Sequence, residues 1–228
     1  MDPAENGPIP APERVEAVQP PKPRLRGRIH QIAFLASLPA GVALVASSRG
    51  VPGHIAAAFF AVSLAGLFGV SATYHRGTWR PAMRHWLQRA DHAMIFVLIA
   101  GSYTPMTLLA MQPAWGISLL VAVWTIAVVG VTLAFARFGT LRWAGSYMYI
   151  GLGWIVVLAM PAIVQSLASG ELWLLFAGGV LYTLGAIGLR LQRPNPRPLT
   201  FGYHEVWHAM TVAAAACHFV LVAQLVRA

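Results

Sequence analysis

Apolar residues run almost unbroken through seven stretches of this chain, and polar residues gather between them. The stretches cover about 30–47, 53–75, 86–110, 114–136, 142–167, 171–190 and 203–226. Each is near or above the ~20 residues that a helix needs to cross a bilayer. The polar breaks are short. Ser47, Ser48, Arg49 and Gly50 close the first stretch, Gln112-Pro113 follows the third, and Arg193-Pro-Asn-Pro-Arg-Pro198 separates the last two. Pro105 and Pro161 fall inside stretches, which membrane helices tolerate better than soluble ones, and Pro161 is expected to kink the fifth. The pattern predicts an all-α integral membrane protein, a bundle of seven transmembrane helices over residues 29–228. Residues 1–28, rich in proline, alanine and charge, cannot bury a core and read as a disordered tail. Their long Pro-rich leader argues for an uncleaved first helix rather than a signal peptide.

Composition sharpens this picture. Hydrophobic residues make up 57% of the 228 positions and charged residues 10%, against about 25% charged in a soluble domain. The net charge of +9 would suit nucleic acid or an anionic membrane face. Its distribution decides. Arg14, Lys22, Arg24, Arg26 and Arg28 lie in the tail; Arg76, Arg80, Arg84 and Arg89 join spans two and three. Arg137 and Arg142 lie between four and five, and Arg190, Arg193 and Arg197 between six and seven. Only Arg49 and Arg227 fall on the other side. The bias puts the N-terminus in the cytoplasm and, with seven spans, the C-terminus outside. No basic stripe with interleaved aromatics suggests nucleic acid. The single cysteine, Cys217, cannot form an internal disulfide and reads as a small apolar helix residue.

Ionisable groups inside membrane spans are costly and usually functional. His75 ends the second span, Asp91 and His92 open the third, and His204, Glu205 and His208 open the seventh, all at the cytoplasmic level. His204 and His208 are four residues apart, one turn above the other on one helix face. Two such imidazoles can bind one metal ion, and His75 can complete a three-histidine set. Zinc accepts nitrogen ligands and often keeps a water in its fourth position; copper, nickel and iron also suit imidazole. Asp91 either pairs with a nearby arginine or holds or deprotonates a water at the metal. Ser71, one turn before His75, faces a ligand, water or substrate carbonyl, or bonds back to its own helix. Glu205 is expected to face away from the histidines, at the surface or behind the ligands. His218, ten residues past His208 and so ~15 Å deeper, is expected to make an interhelical hydrogen bond. His30, His54 and His85 read as solvated interface or loop residues. Trp79, Trp86, Trp143 and Trp207 read as interface anchors.

The combination Ser71-x3-His75, Asp91-His-Ala-Met-Ile, Gly101-Ser-Tyr-Thr-Pro105, His204-Glu-Val-Trp-His208 and Cys217-His218-Phe219 resembles bacterial hemolysin III proteins. These group with the progestin and adipoQ receptor family, which includes the adiponectin receptors. A wider set of membrane hydrolases, including alkaline ceramidases, shares the pattern. The resemblance covers nearly all of residues 28–228 and implies seven helices with a cytoplasm-facing site for one zinc ion. His75, His204 and His208 would be its ligands, with Asp91 and Ser71 as the catalytic residues. It implies a hydrolase of the bacterial inner (plasma) membrane acting on lipid amide or ester bonds, with membrane lipids as partners. A receptor or homeostasis sensor with structural zinc and a cytolytic pore former are the other expectations.

Overall fold

The computed structural model describes residues 22–136 and 142–228, with side chains of the fifth span described from Met148 onward. The tail expectation falls mainly on residues 1–21, and the expectations for Arg137 and for the Arg142 and Trp143 side chains also lie outside the described residues. Among the described residues eight α-helices follow one another: α1 Arg28–Ala46, α2 Gly50–Arg76, α3 Pro81–Pro105, α4 Pro113–Phe135, α5 Arg142–Trp154, α6 Met160–Ser166, α7 Ser169–Leu191 and α8 Tyr203–Leu225. They make seven membrane spans among the described residues, of mean hydropathy 1.7 to 2.4. The protein is therefore an integral membrane protein of the expected class.

The span limits reflect proline and glycine chemistry. Pro81 and Pro113 sit in the first turns of α3 and α4, where a missing N–H costs nothing because that group has no helical partner. Pro105 ends α3 and a π-helical turn, Met106–Ala110, carries the span onward. The fifth span is broken as Pro161 foretells: α5 passes through a 3-10 stretch, Ile155–Ala159, before α6. The break leaves backbone groups unpaired, and Tyr103 of α3 satisfies two of them. Its hydroxyl donates to Gly153 O and accepts from Val156 N, both at 2.9 Å.

Apolar side chains such as Ile32, Val42, Val62, Val121 and Leu158 point outward, as lipid-facing positions do. Lipid removes the hydrophobic drive between helices, so close approach at small residues does the work. Gly41 meets Ala61 between α1 and α2, Gly101 meets Ser63 between α2 and α3, and Gly130 meets the Phe96 ring between α4 and α3. Gly185 meets Trp207 between α7 and α8. α1 packs on α2, α2 on α3, α3 on α4, α4 on α5 and α7 on α8, and α8 also touches α1, α2 and α3, so the last helix sits beside the first three.

The basic end of the tail takes a defined course. Residues 22–27 form a turn whose Arg24 and Leu25 N–H groups donate to Leu199 O and Thr200 O of the α7–α8 connection, at 3.0 and 3.1 Å. Gly27 turns with φ +76°, a left-handed value that glycine adopts freely. A side chain there would strike the His75 Cβ. The turn thus lies directly on the end of α2.

Candidate metal centre

Helix spacing explains the local arrangement. His204 and His208 project from one face of α8, and their ring centroids are 4.6 Å apart. His75 reaches them from the last turn of α2. Its Nε2 lies 3.2 Å from His204 Nε2, and one ligating nitrogen from each of the three rings falls within 4.8 Å of the others. Ring planes differ by 61° for His75 and His208, 70° for His75 and His204, and 62° for His204 and His208. Each nitrogen lone pair lies in its ring plane, so mutually inclined rings can aim at one point. A tetrahedral ion with arms of ~2.0–2.1 Å separates its ligands by about 3.3 Å, close to the His75–His204 spacing. His208 Nδ1 is buried without a hydrogen-bond partner. The donor set therefore fits a metal ion held by His75, His204 and His208.

Asp91 of α3 stands beside this cluster, its Oδ2 3.7 Å from His75 Nε2. Ser71, 2% exposed, lies beside that carboxyl group. Asp91 thus faces the histidines and Ser71 rather than an arginine; Arg89 instead donates to Phe135 O of α4. Three helices distant in sequence bring the five expected residues to one level.

One neighbour departs from expectation. His30 is not a solvated interface residue. It is 3% exposed and lies flat on His208, with ring centroids 3.7 Å apart and planes 7° apart. Neither of its nitrogens has a hydrogen-bond partner; the His208 backbone lies beside it without completing one. Glu205 takes the buried of the two places expected for it. It is fully buried, pairs with Arg26 of the N-terminal turn and accepts the Gly202 N–H at 2.9 Å. A carboxylate at a helix start suits the orphan N–H groups and the positive end of the dipole. His218 reaches α7, where it packs on Gly178 beside the Leu175 backbone, but its Nε2 completes no hydrogen bond. Among the expected anchors Trp79 and Trp86 are exposed, whereas Trp207 is half-buried against Gly185. His54 and His85 are exposed as expected.

Basic residues surround the mouth. Partial burial, then the charges of Arg84, Arg26 and Arg76, hold the Lys22 ammonium below its usual pKa. On the inner side the centre opens into a largely apolar cavity of about 660 Å³. His30, Ser71, Asp91, His204 and His208 line one end, and Tyr103, Leu172, Trp173 and Phe176 line regions farther along. Ile150 and Trp154 of α5, Val164 of α6 and Trp173 and Phe176 of α7 line the cavity yet are exposed on the outer surface. The cavity therefore opens sideways, between the fifth span and α7.

A family model described as haemolysin-III related matches residues 18–219. The chain is 31% identical over 193 residues to "Hemolysin-3 homolog" of Bacillus subtilis (strain 168), covering 83% of this chain and 87% of that one. It is 30% identical to "Hemolysin-3" of Bacillus cereus, covering 83% and 85%. A more distant similarity, 24% over 169 residues, joins it to "Monocyte to macrophage differentiation factor" of Homo sapiens, with 72% and 68% covered.

Proposed function

The chain belongs to the haemolysin-III related family, and from that premise we propose that it is a zinc-dependent membrane hydrolase cleaving an amide or ester bond of a lipid. Its place is a bacterial inner (plasma) membrane, with the metal centre facing the cytoplasm. One observation carries the reading: three inclined imidazoles and a carboxylate stand at the end of an apolar cavity that opens towards lipid.

Zinc is a metal that three histidines commonly hold, and when bound it polarises a carbonyl and lowers the pKa of water from 15.7 towards ~7. The chain's own residues supply the rest. The Asp91 carboxylate orients the attacking water and accepts its proton. The Ser71 hydroxyl, next to Asp91, donates towards the oxygen on which negative charge develops. The apolar wall of α3, α7 and the fifth span holds an acyl chain, and the lateral opening between the fifth span and α7 admits it from the bilayer.

A second reading has its own support. Asp91 lies close enough to His75 to join the histidines in a closed four-ligand shell, the habit of structural zinc. The protein would then be a receptor or homeostasis sensor whose metal ties α2, α3 and α8 together. Purified protein incubated with ceramides and phospholipids, with and without chelator, separates the two. The hydrolase reading expects chelator-sensitive release of fatty acid, lost in Asp91→Asn while zinc is retained. No product across the panel, with Asp91→Asn also losing zinc, would replace it with the structural reading. Dye leakage from liposomes that survives loss of the histidines would point instead to the activity in its relatives' haemolysin names.

A further inference from the structure

A second cleft, of about 360 Å³, lies between the end of α2 and the start of α3, and it shares no lining residue with the large cavity. One side is a face of α3, on which Pro81, Arg84, His85 and Gln88 follow the i, i+3, i+4, i+7 spacing. The other sides are Tyr74 of α2 and Trp79 of the α2–α3 connection. Trp79 is held in place: its Nε1 donates to Thr73 O at 3.0 Å, and Gly77 lies so close to the indole that any side chain there would overlap it. The cleft is cationic. Arg84 is exposed, and Lys22 of the N-terminal turn stands within reach of the charges of Arg84, Arg26 and Arg76. The described residues carry three carboxylates, and each is engaged elsewhere. Asp91 faces His75, Glu205 pairs with Arg26, and Glu171 accepts the Ala168 N–H at the start of α7. Among the described residues, Lys22, Arg76 and Arg84 therefore have no anionic partner.

We propose that this cleft binds the phosphate-bearing headgroup of an anionic phospholipid. Arginine offers a fork of donors and lysine a point charge to phosphate oxygens, and Gln88 and His85 add neutral donors. Position selects the source of the phosphate. The cleft lies on the arginine-rich face, where tryptophan and tyrosine rings sit at headgroup level. Basic side chains next to a span attract the anionic lipids of the cytoplasmic leaflet there. A lipid so seated keeps its acyl chains in the bilayer, a gain that a free phosphate ester lacks. The inference is independent of the hydrolase reading. Tyr74 joins the cleft to the metal centre, its ring centroid 4.5 Å from that of His75, so the headgroup rests one side chain away from the histidine cluster.

The test titrates the purified full-length chain, in neutral detergent, with dihexanoyl phosphatidylglycerol, dihexanoyl phosphatidylcholine and glycerol phosphate, and reads affinity by label-free thermophoresis. The first probe carries chains and net charge, the second chains without net charge, and the third charge without chains. The wild type should favour phosphatidylglycerol over both others by roughly 10-fold. Arg84→Gln and Lys22→Gln should each weaken that binding by roughly 5- to 10-fold, the worth of one charged contact at a membrane surface. Trp79→Leu removes a wall of the cleft and no charge, and should weaken it as well. Arg190→Gln removes an exposed cation from the last turn of α7, on the same face, and should bind as the wild type does. Unchanged melting temperatures verify folding, and the second cation variant stands in if the first fails to fold. Equal affinity for the two phospholipids, full affinity in both cation variants, or an equal loss in Arg190→Gln would overturn the proposal. Glycerol phosphate bound as tightly as the lipid would make the ligand a soluble phosphate ester instead. Lipid binding seen only after Asp2, Glu5, Glu13 and Glu16 are neutralised would give the cleft to the chain's own acidic residues.

Discussion

His75 and His204 are separated by 129 positions in the chain and by 3.2 Å between ring nitrogens, so each depends on the other to define a binding point. His75→Ala should abolish stoichiometric metal. The loss of affinity should exceed the ~10–100-fold typical of removing a group behind a ligand. Competition with a zinc indicator would measure this, and His54→Ala, at an exposed site whose ring bonds only to Gly50 O of its own helix, is the matched control expected to change nothing. The meeting of three histidines with Asp91 and Ser71 was legible in the sequence because ionisable groups in apolar spans stand out and because i,i+4 spacing fixes a shared face. His30 was not. It follows directly on a basic segment, the setting of a solvated interface residue, and only the docking of α1 against α8 buries it. Glu205 was left between the surface and a place behind the ligands for a similar reason: its partner, Arg26, lies in a stretch whose composition promises no fixed structure.

At the scale of elements, the turn over residues 22–27 straps α1 to the start of α8 through Arg26 and Glu205. Arg26→Ala leaves a buried carboxylate without its counter-charge. It should destabilise the protein by about 2–4 kcal/mol, somewhat below the range for a fully buried pair because Arg26 keeps some exposure. The double variant Arg26→Ala, Glu205→Gln should recover a large part of that loss. Thermal unfolding in detergent, followed by tryptophan fluorescence, checks both, and equal melting of the single and double variants would show that the pair is not coupled. Element ends were legible to within a few residues almost everywhere. The exception is α3, which begins at Pro81 rather than near Trp86. Its first turn carries Arg84 and His85 in place of apolar residues, so hydropathy alone does not mark it. The break in the fifth span was signalled by Pro161, but its brace, Tyr103, belongs to another helix and has no local signature.

Across the whole molecule, arginine placement fixes orientation: one face holds Arg76, Arg84, Arg193 and Arg197, and the other Arg49 and Arg227. In a Cys217→Ala background, Arg197→Cys should react with an impermeant maleimide only in inverted vesicles and Arg49→Cys only in intact spheroplasts. The opposite labelling would reverse the topology and place the metal centre outside. The cavity itself was beyond sequence reading. It arises because α8 sits beside the first three helices while the fifth span and α7 barely touch, and no local pattern encodes a gap between helices.

The chain order of the ligands has a consequence for biosynthesis. Two of the three histidines ride on α8, which leaves the ribosome after the other six spans, whereas His75 and Asp91 enter the bilayer early. Until translation reaches α8, those groups wait in the membrane without the imidazoles that complete their cluster. If the three histidines hold a metal as proposed, its loading is a late event in the life of each new molecule, and prematurely terminated products cannot capture the ion.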